Sequence, residues 1–563
     1  SMHAESKKGR FAEGDGVETS GTAAMGYGSV DDGHFGALLG AVATKNHKLY
    51  LSGSKEQGRN YKVKDNDKQV DNNGNEVSTQ YDREAFTAGY GYQREGHEFG
   101  INYSNNNTGH TGTPALPMDI VYVRGGLYDA NYSWDLGDGY KVRTNVFYQK
   151  MRHWMDSYTL RDSAMNMWNR TEVEAGGIDL AVDMPMFDGI LTVGVNGDQS
   201  NHEANSAMQS GMNPMNFFHD IERDRYSIFT EWAGDVSENM ALELGARFVH
   251  TWSDAGDASG GDPDQVVNAP MNTTMRMMQM NIRRTGVDRV AFNAKDKKRN
   301  FNEVDLAAVL RYSVSSSLDV EVGLARKNRA PTYQELYLWT GSRAVGGFAD
   351  GHTYLGDLDL DHETAYQFDL GFDWHNENAY IAPRFFYHYV DDYIQGVRTQ
   401  AALDSGATLQ WSNIAAQFYG VDLEAGYTIT DNWRVDAGLN YVRGERVNAP
   451  TADSDLYRIA PLNGRVQATY EQSGWMGAVE GVFYADQGDV AGYNQEQKTK
   501  GYMLLNLRGK YEPYHGVVIG TGIENVVGVK HYDHLGGYTN HDRTGDRVAM
   551  PGRNIYATLA YNW

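Results

Sequence analysis

Cysteine is absent from this chain. That rules out any disulfide framework and suits an oxidising compartment, where stray thiols are a liability. Long apolar runs are absent too. No stretch approaches the roughly 20 consecutive apolar residues of a membrane helix, so a helical membrane protein is excluded. Positive charge is scarce: 50 Lys and Arg face 74 Asp and Glu, for a net charge of -24. A nucleic-acid partner calls for basic patches and is therefore not expected. No G-x-S-x-G, H-E-x-x-H or P-loop pattern occurs, and the 17 His form no nucleophile–base arrangement, so enzymatic chemistry is not expected either. The opening residues SMHAESKKGR contain no apolar signal region. The leading Ser-Met reads as a remnant of cloning.

What remains is a chain of 563 residues with 12% aromatics, 37 of them Tyr and 11 Trp, and a mean hydropathy of -0.59. A membrane β-barrel matches that combination, because its strands show lipid only every second residue and look polar on average. Strand-like stretches of about 9–14 residues recur from end to end without a shift of composition that would mark a domain boundary. The gaps between them alternate, short then long. Short gaps include Val30-Asp31-Asp32-Gly33, Gly137-Asp138-Gly139, Ser237-Glu238-Asn239, Ser315-Ser316-Ser317, Thr430-Asp431-Asn432 and Gln472-Ser473-Gly474, all tight-turn sequences. Long gaps fall at 57–80, 106–119, 199–223, 253–300, 328–361, 446–459, 486–499 and 527–549, and read as exposed loops. Short turns at one end and long loops at the other are the layout of an outer-membrane barrel. Counting strands between the gaps predicts an all-β fold, a 22-stranded antiparallel transmembrane β-barrel over residues 17–563, after an N-terminal tail at 1–16.

The last strand carries the pattern most clearly. In Arg553–Trp563, Ile555, Ala557, Leu559, Tyr561 and Trp563 fall on one face and Asn554, Tyr556, Thr558, Ala560 and Asn562 on the other. The period is two, with aromatics at the end where the bilayer interface lies. Trp433–Tyr441 repeats it with Arg434, Asp436 and Asn440 inward, and Tyr502–Tyr511 with Asn506, Arg508 and Lys510 inward.

In the strand from Tyr140, parity puts Met151, His153 and Met155 on the polar, lumen side. A soft thioether and a borderline imidazole on one face favour Cu(I) over Zn, Mg or Ca, with His153 and Met155 as first candidates and Met151 as a further one. The bland alternative is that the Met side chains fill space and His153 sits at the interface beside Trp154. Other Met crowd the long gaps: Met208, Met212 and Met215 in one, and Met271, Met275, Met277, Met278 and Met280 in another, while Met165 and Met167 follow His153. Met normally fills cores. In loops it suggests either a soft-metal funnel or a loop collapsed onto its own Met.

Three further segments carry a resemblance. Arg329-Ala330-Pro331-Thr332-Tyr333-Gln334-Glu335-Leu336-Tyr337 resembles the RAPxxxELY segment of TonB-dependent outer-membrane receptors. Gly356-Asp357-Leu358-Asp359-Leu360 with Glu363 resembles the GNPxLxxE that follows it, with Asp and Leu in place of Asn and Pro. Pro551-Gly552-Arg553 and the closing aromatic strand resemble the C-terminal signature of that family. The resemblance implies a monomeric barrel set in lipid and lipopolysaccharide of the bacterial outer membrane. It also implies an N-terminal plug through which TonB acts. Barrel-like sequence begins by about Val17 and leaves no room for a plug, so the expectation is the barrel alone, with an aqueous lumen. Within the family, Thr111-Gly112-Thr113-Pro114-Ala115-Leu116-Pro117-Met118-Asp119 and His153-Trp154-Met155-Asp156 resemble the OprC/NosA-type copper receptors. That subfamily sets a His-x-Met pair of the barrel against a Cys-xxx-Met pair of the plug. The reading is a copper-uptake barrel, with copper as transported ligand. Its rivals are a siderophore or other organic-chelate receptor, a surface for phage, bacteriocin or host, and an engineered open pore.

Overall fold

A sheet that alternates over a whole chain exposes unpaired edges unless it closes, and in lipid an unpaired backbone group costs several kcal/mol. The chain closes by pairing its first strand, Glu18–Gly28, with its last, Asn554–Asn562, antiparallel. The computed structural model describes residues 9–70, 74–162, 166–211, 214–267, 273–341, 350–449, 453–538 and 547–563. Among them, 22 strands form one closed antiparallel barrel in which each barrel strand pairs with the next in sequence. Among the described residues no helix is long and apolar enough to cross a membrane.

The expected alternation is present in space. Val146, Tyr148, Ile178, Leu180, Val195 and Ile228 stand exposed on the outer face. The opposite parity carries ion pairs across the lumen wall: Arg143–Asp183 at 2.7 Å, Arg225–Asp198 at 2.8 Å, Arg434–Asp436 at 2.8 Å and Arg508–Glu480 at 2.8 Å. Tight turns join the strands at the periplasmic end. In one, the two central residues Asp138 and Gly139 take positive φ (52° and 83°), as a type I′ hairpin turn demands, and Gly supplies it without steric cost.

Three expectations need correction. The Val30–Gly33 turn is short but lies at the loop end, since Gly28 pairs beside Tyr556 while Thr22 pairs with Asn562 near the chain end. Gap length does not report side. The 199–223 gap is mostly strand: Gly189–Met208 and Met215–Ser237 run through it. At 20 and 23 residues they far exceed the roughly 9–11 that cross a bilayer, and the surplus rises above it. Polar residues on both faces of that surplus hide the alternation. The 253–300 gap is not irregular throughout, because Thr273–Asn293 is an α-helix. The segment has no Pro and a single Gly, and Met, Arg and Gln are good helix formers.

The extracellular mouth is not an open ring of loops. Leu336, Tyr337, Leu338 and Trp339 are buried there with Phe217, Phe218, Ile221, Phe301, Leu409 and Trp411 in one apolar cluster. Arg329 anchors the segment. It ion-pairs Glu335 at 2.9 Å and Glu363 at 2.7 Å, while Thr332 and Glu335 cap the short helix Tyr333–Tyr337 reciprocally. The RAPTYQELY segment is thus a hydrogen-bonded wedge folded into the mouth. Its apolar half sits in the largest core of the described residues.

Because the chain has no cysteine of its own, sidedness is directly testable. Asn145→Cys, on the lumen face, is expected to react with a membrane-impermeant maleimide in proteoliposomes, and its neighbour Val146→Cys is not. Equal labelling at the two positions would contradict the register.

Candidate metal site on the lumen wall

The height of the candidate residues follows from strand register. On the outer face Tyr103, Tyr128 and Tyr148 stand directly opposite one another on neighbouring strands. Such an aromatic row marks a bilayer interface. Immediately above it the outer face turns charged: Lys150 pairs with Glu172 at 2.7 Å and also contacts Glu174, and Arg152 pairs with Glu172 at 3.4 Å. His153 therefore lies beyond the membrane span, in the wall of the extracellular mouth.

The Tyr140–Asp156 strand turns Met151, His153 and Met155 to the lumen. Register then shows what flanks them. His153 faces Thr171 and Val123, Met155 faces Asn169, and Met151 faces Val173 and Gly125. One strand further, Thr171 faces Ala204, Val173 faces His202 and Met167 faces Met208. Three adjacent strands thus bring Met151, His153, Met155, Met167, His202 and Met208 onto one wall.

The wall is rigid around Met155. Asp119 is fully buried and receives Arg161 in a two-pronged ion pair (Nη2–Oδ1 2.6 Å, Nε–Oδ2 2.8 Å), and also accepts the Thr113 amide at 2.7 Å. Asp156 accepts the amides of Tyr158 and Thr159 and the Thr159 hydroxyl at 3.1, 2.8 and 2.6 Å. Each carboxylate closes a loop beside the Met155 position, which explains why the 111–119 segment and His153–Asp156 belong to one unit.

The two imidazoles are the telling groups. His153 Nε2 and His202 Nδ1 are buried with no hydrogen-bond partner. Buried polar atoms are nearly always bonded, and an exception asks for a ligand, ion or water. Burial lowers the His153 pKa. Burial, and secondarily the Arg223 charge, push His202 down to about 4. Both rings are therefore neutral at pH 7, the form that binds a metal.

The remaining candidates divide. Met215 packs on the apolar core, as a core-filling Met does. Met275, Met277 and Met280 are exposed on the Thr273–Asn293 helix and Met278 is half-buried there. They are not on the three-strand wall. Met212, Met165 and Met271 lie outside the described residues. Among the described residues no group of three or more His, Asp or Glu is placed to hold a metal ion. His202 was missed in the sequence because 199–223 reads as loop, where parity is not extended. Once Gly189–Met208 is known as one strand, parity finds it.

The sign of the pH effect is definite. A histidine whose folded pKa lies below its unfolded 6.5 stabilises the fold above pH 6.5, and that contribution is lost as pH falls toward 4. In histidine-labelled protein in micelles, the NMR signals of His202 are expected to stay unprotonated from pH 7 to 5. A midpoint above 6 would contradict the buried, neutral ring.

Comparison with known proteins fits this architecture. The family profile described as TonB dependent receptor-like, beta-barrel, matches residues 53–526. No curated protein sequence matches the chain. Among solved structures, the copper transporter OprC superposes with a TM-score of 0.81 at 19% identity, over 99% of this chain and 82% of that one. The FrpB iron transporter of Neisseria meningitidis (F3-3 variant) gives 0.69 at 12%, over 97% and 81%. The ferric yersiniabactin uptake receptor FyuA of Yersinia pestis gives 0.67 at 13%, over 97% and 80%. At these identities the likeness is one of fold. With the family profile covering most of its length, the chain belongs to the TonB-dependent receptors as their β-barrel, a transport protein of the bacterial outer membrane and not an enzyme.

Proposed function

We propose that this barrel serves copper uptake, with Cu(I) as cargo captured on the lumen wall by His153 and Met155. The observation that carries the reading is the buried, unpartnered Nε2 of His153 on the same lumen face as two thioethers, above the membrane, where solute enters. A neutral imidazole beside thioethers selects a soft monovalent ion over hard cations, which prefer oxygen. The fold shared with a copper transporter agrees with it. Met151 and Met208 extend the same face, and the exposed Met of the Thr273–Asn293 helix would give outer contacts for the ion. Two protein ligands alone hold an ion weakly. Tight capture and its release by TonB would draw on ligands of a plug domain seated in the barrel.

A receptor for a ferric siderophore remains the alternative, since iron and siderophore receptors share the fold. It would need aromatic and Arg side chains presented to the mouth. Tyr354 and Trp411 are instead stacked on each other in the buried cluster, with ring centroids 4.6 Å apart, and Arg329 is engaged by two carboxylates. The wall therefore favours the bare ion.

Titration of the purified barrel with Cu(I), in competition with a chromogenic chelator, tests the reading. His153→Ala and Met155→Ala are each expected to weaken binding about tenfold or more, equivalent to about 1.4 kcal/mol. Unchanged binding in both variants would remove this site.

A further inference from the structure

We infer that His202 holds a second soft-cation position on the same wall, one level below His153, with Met151 as the donor facing it across Val173. The inference builds on the copper reading; it adds His202, which that reading does not use, and gives Met151 a separate position.

His202 and Met151 share one row of the barrel, because Val173 is in register with both. Two strand spacings separate their backbones, about 10 Å. An imidazole reaching from one side and a thioether from the other can hold an ion within that gap, each metal bond taking up about 2 Å. The residue between them is apolar and offers the ion no competing donor. Met151 now rests over Gly125, its Cγ and Cε 3.6 Å from where a Cβ at that glycine would lie. Over a glycine the unbranched thioether can swing toward Val173.

The two nitrogens of His202 are already divided between tasks. Nε2 lies 3.3 Å from the Ser200 hydroxyl, and Nδ1 is buried with no partner. If Nε2–H donates to Ser200, Nδ1 keeps its lone pair. That is the outer-shell hydrogen bond that orients metal-binding histidines and fixes their tautomer. The ring is held in orientation from one side by Tyr333, stacked on it with centroids 4.3 Å apart and planes 24° apart. Phe218 braces Tyr333 edge-on at 5.0 Å. Arg223, whose charge disfavours a protonated His202, hydrogen-bonds the Pro331 carbonyl and so stands near without occupying Nδ1. The free nitrogen and the stacking partner are thus in place, Ser200 is within reach to orient the ring, and Met151 joins the ion by swinging off Gly125. The lower position lies deeper in the lumen than the His153–Met155 pair, so an ion leaving the mouth inward meets a second holding point of like chemistry. Tyr333 belongs to the RAPTYQELY wedge, and an occupied His202 would thereby touch the segment that fills the mouth.

Stoichiometry separates this from the copper reading. The folded full chain, with folding verified by heat-modifiable gel migration, is dialysed to equilibrium against graded free Cu(I) under ascorbate, and the bound ion is counted per chain. The wild type is expected to bind two equivalents. His202→Ala should lose one and keep the other, and so should Met151→Leu, which conserves volume and serves if the alanine variant fails to fold. His153→Ala should lose the opposite one. Two equivalents retained in both His202→Ala and Met151→Leu overturn the inference and leave the copper reading standing. A single wild-type equivalent abolished by His153→Ala does the same. An equivalent lost to His202→Ala with none lost to His153→Ala or Met155→Ala supports the lower position while removing the upper. No bound Cu(I) in the wild type overturns both.

Discussion

Closure of the sheet is the constraint on which everything else depends. Once Glu18–Gly28 pairs with Asn554–Asn562, the sheet closes and no open edge remains. Each side chain then has two fates, lipid or lumen, set by the parity of its position. A one-residue slip would turn Arg143, Asp198 and Glu480 to lipid and Val146, Ile178 and Val479 to the lumen. Register is therefore held by the cost of burying charge in hydrocarbon and not by any single hydrogen bond. The same parity decides which side chains a passing solute can meet.

Above the bilayer that penalty lapses, and the wall carries polar groups on both faces. This is where the barrel acquires its specific chemistry. Lys150, Arg152 and Glu172 make ion pairs on the outside while Met151, His153 and Met155 face inward from the same strand. The mouth is organised by a second, local constraint: Arg329 clamps Glu335 and Glu363, and that clamp sets Tyr333 against His202 and Tyr337 into the apolar cluster. Fold and site meet at this wedge. The family motif is best understood here as the part that shapes the lumen beside the wall that carries His153 and His202.

The strands within the membrane were legible because hydrocarbon enforces alternation. Arg434 and Asp436 read as lumen residues in the sequence and form an ion pair in the fold. Legibility fails where that enforcement ends. Ser200–Met208 alternates too little to be recognised as strand, so His202 was passed over although it lies one strand beyond Val173, which faces Met151. The Thr273–Asn293 helix was invisible for a different reason: a Met- and Arg-rich segment has helix propensity but no apolar stripe strong enough to stand out between loops. Candidate residues fared accordingly. Met151, His153, Met155 and Met208 share one wall, whereas Met215 belongs to the core and Met275, Met277 and Met280 to the outer helix.

The central claim is that the three-strand lumen wall, and not the Met-rich helix or the outer surface, receives the cargo. Crystals of the full chain grown with Cu(I), measured on both sides of the copper absorption edge, test it most directly. The account predicts an anomalous peak in the lumen within bonding distance of His153. A peak confined to the Met of the Thr273–Asn293 helix, or none on the wall at full loading, would contradict it.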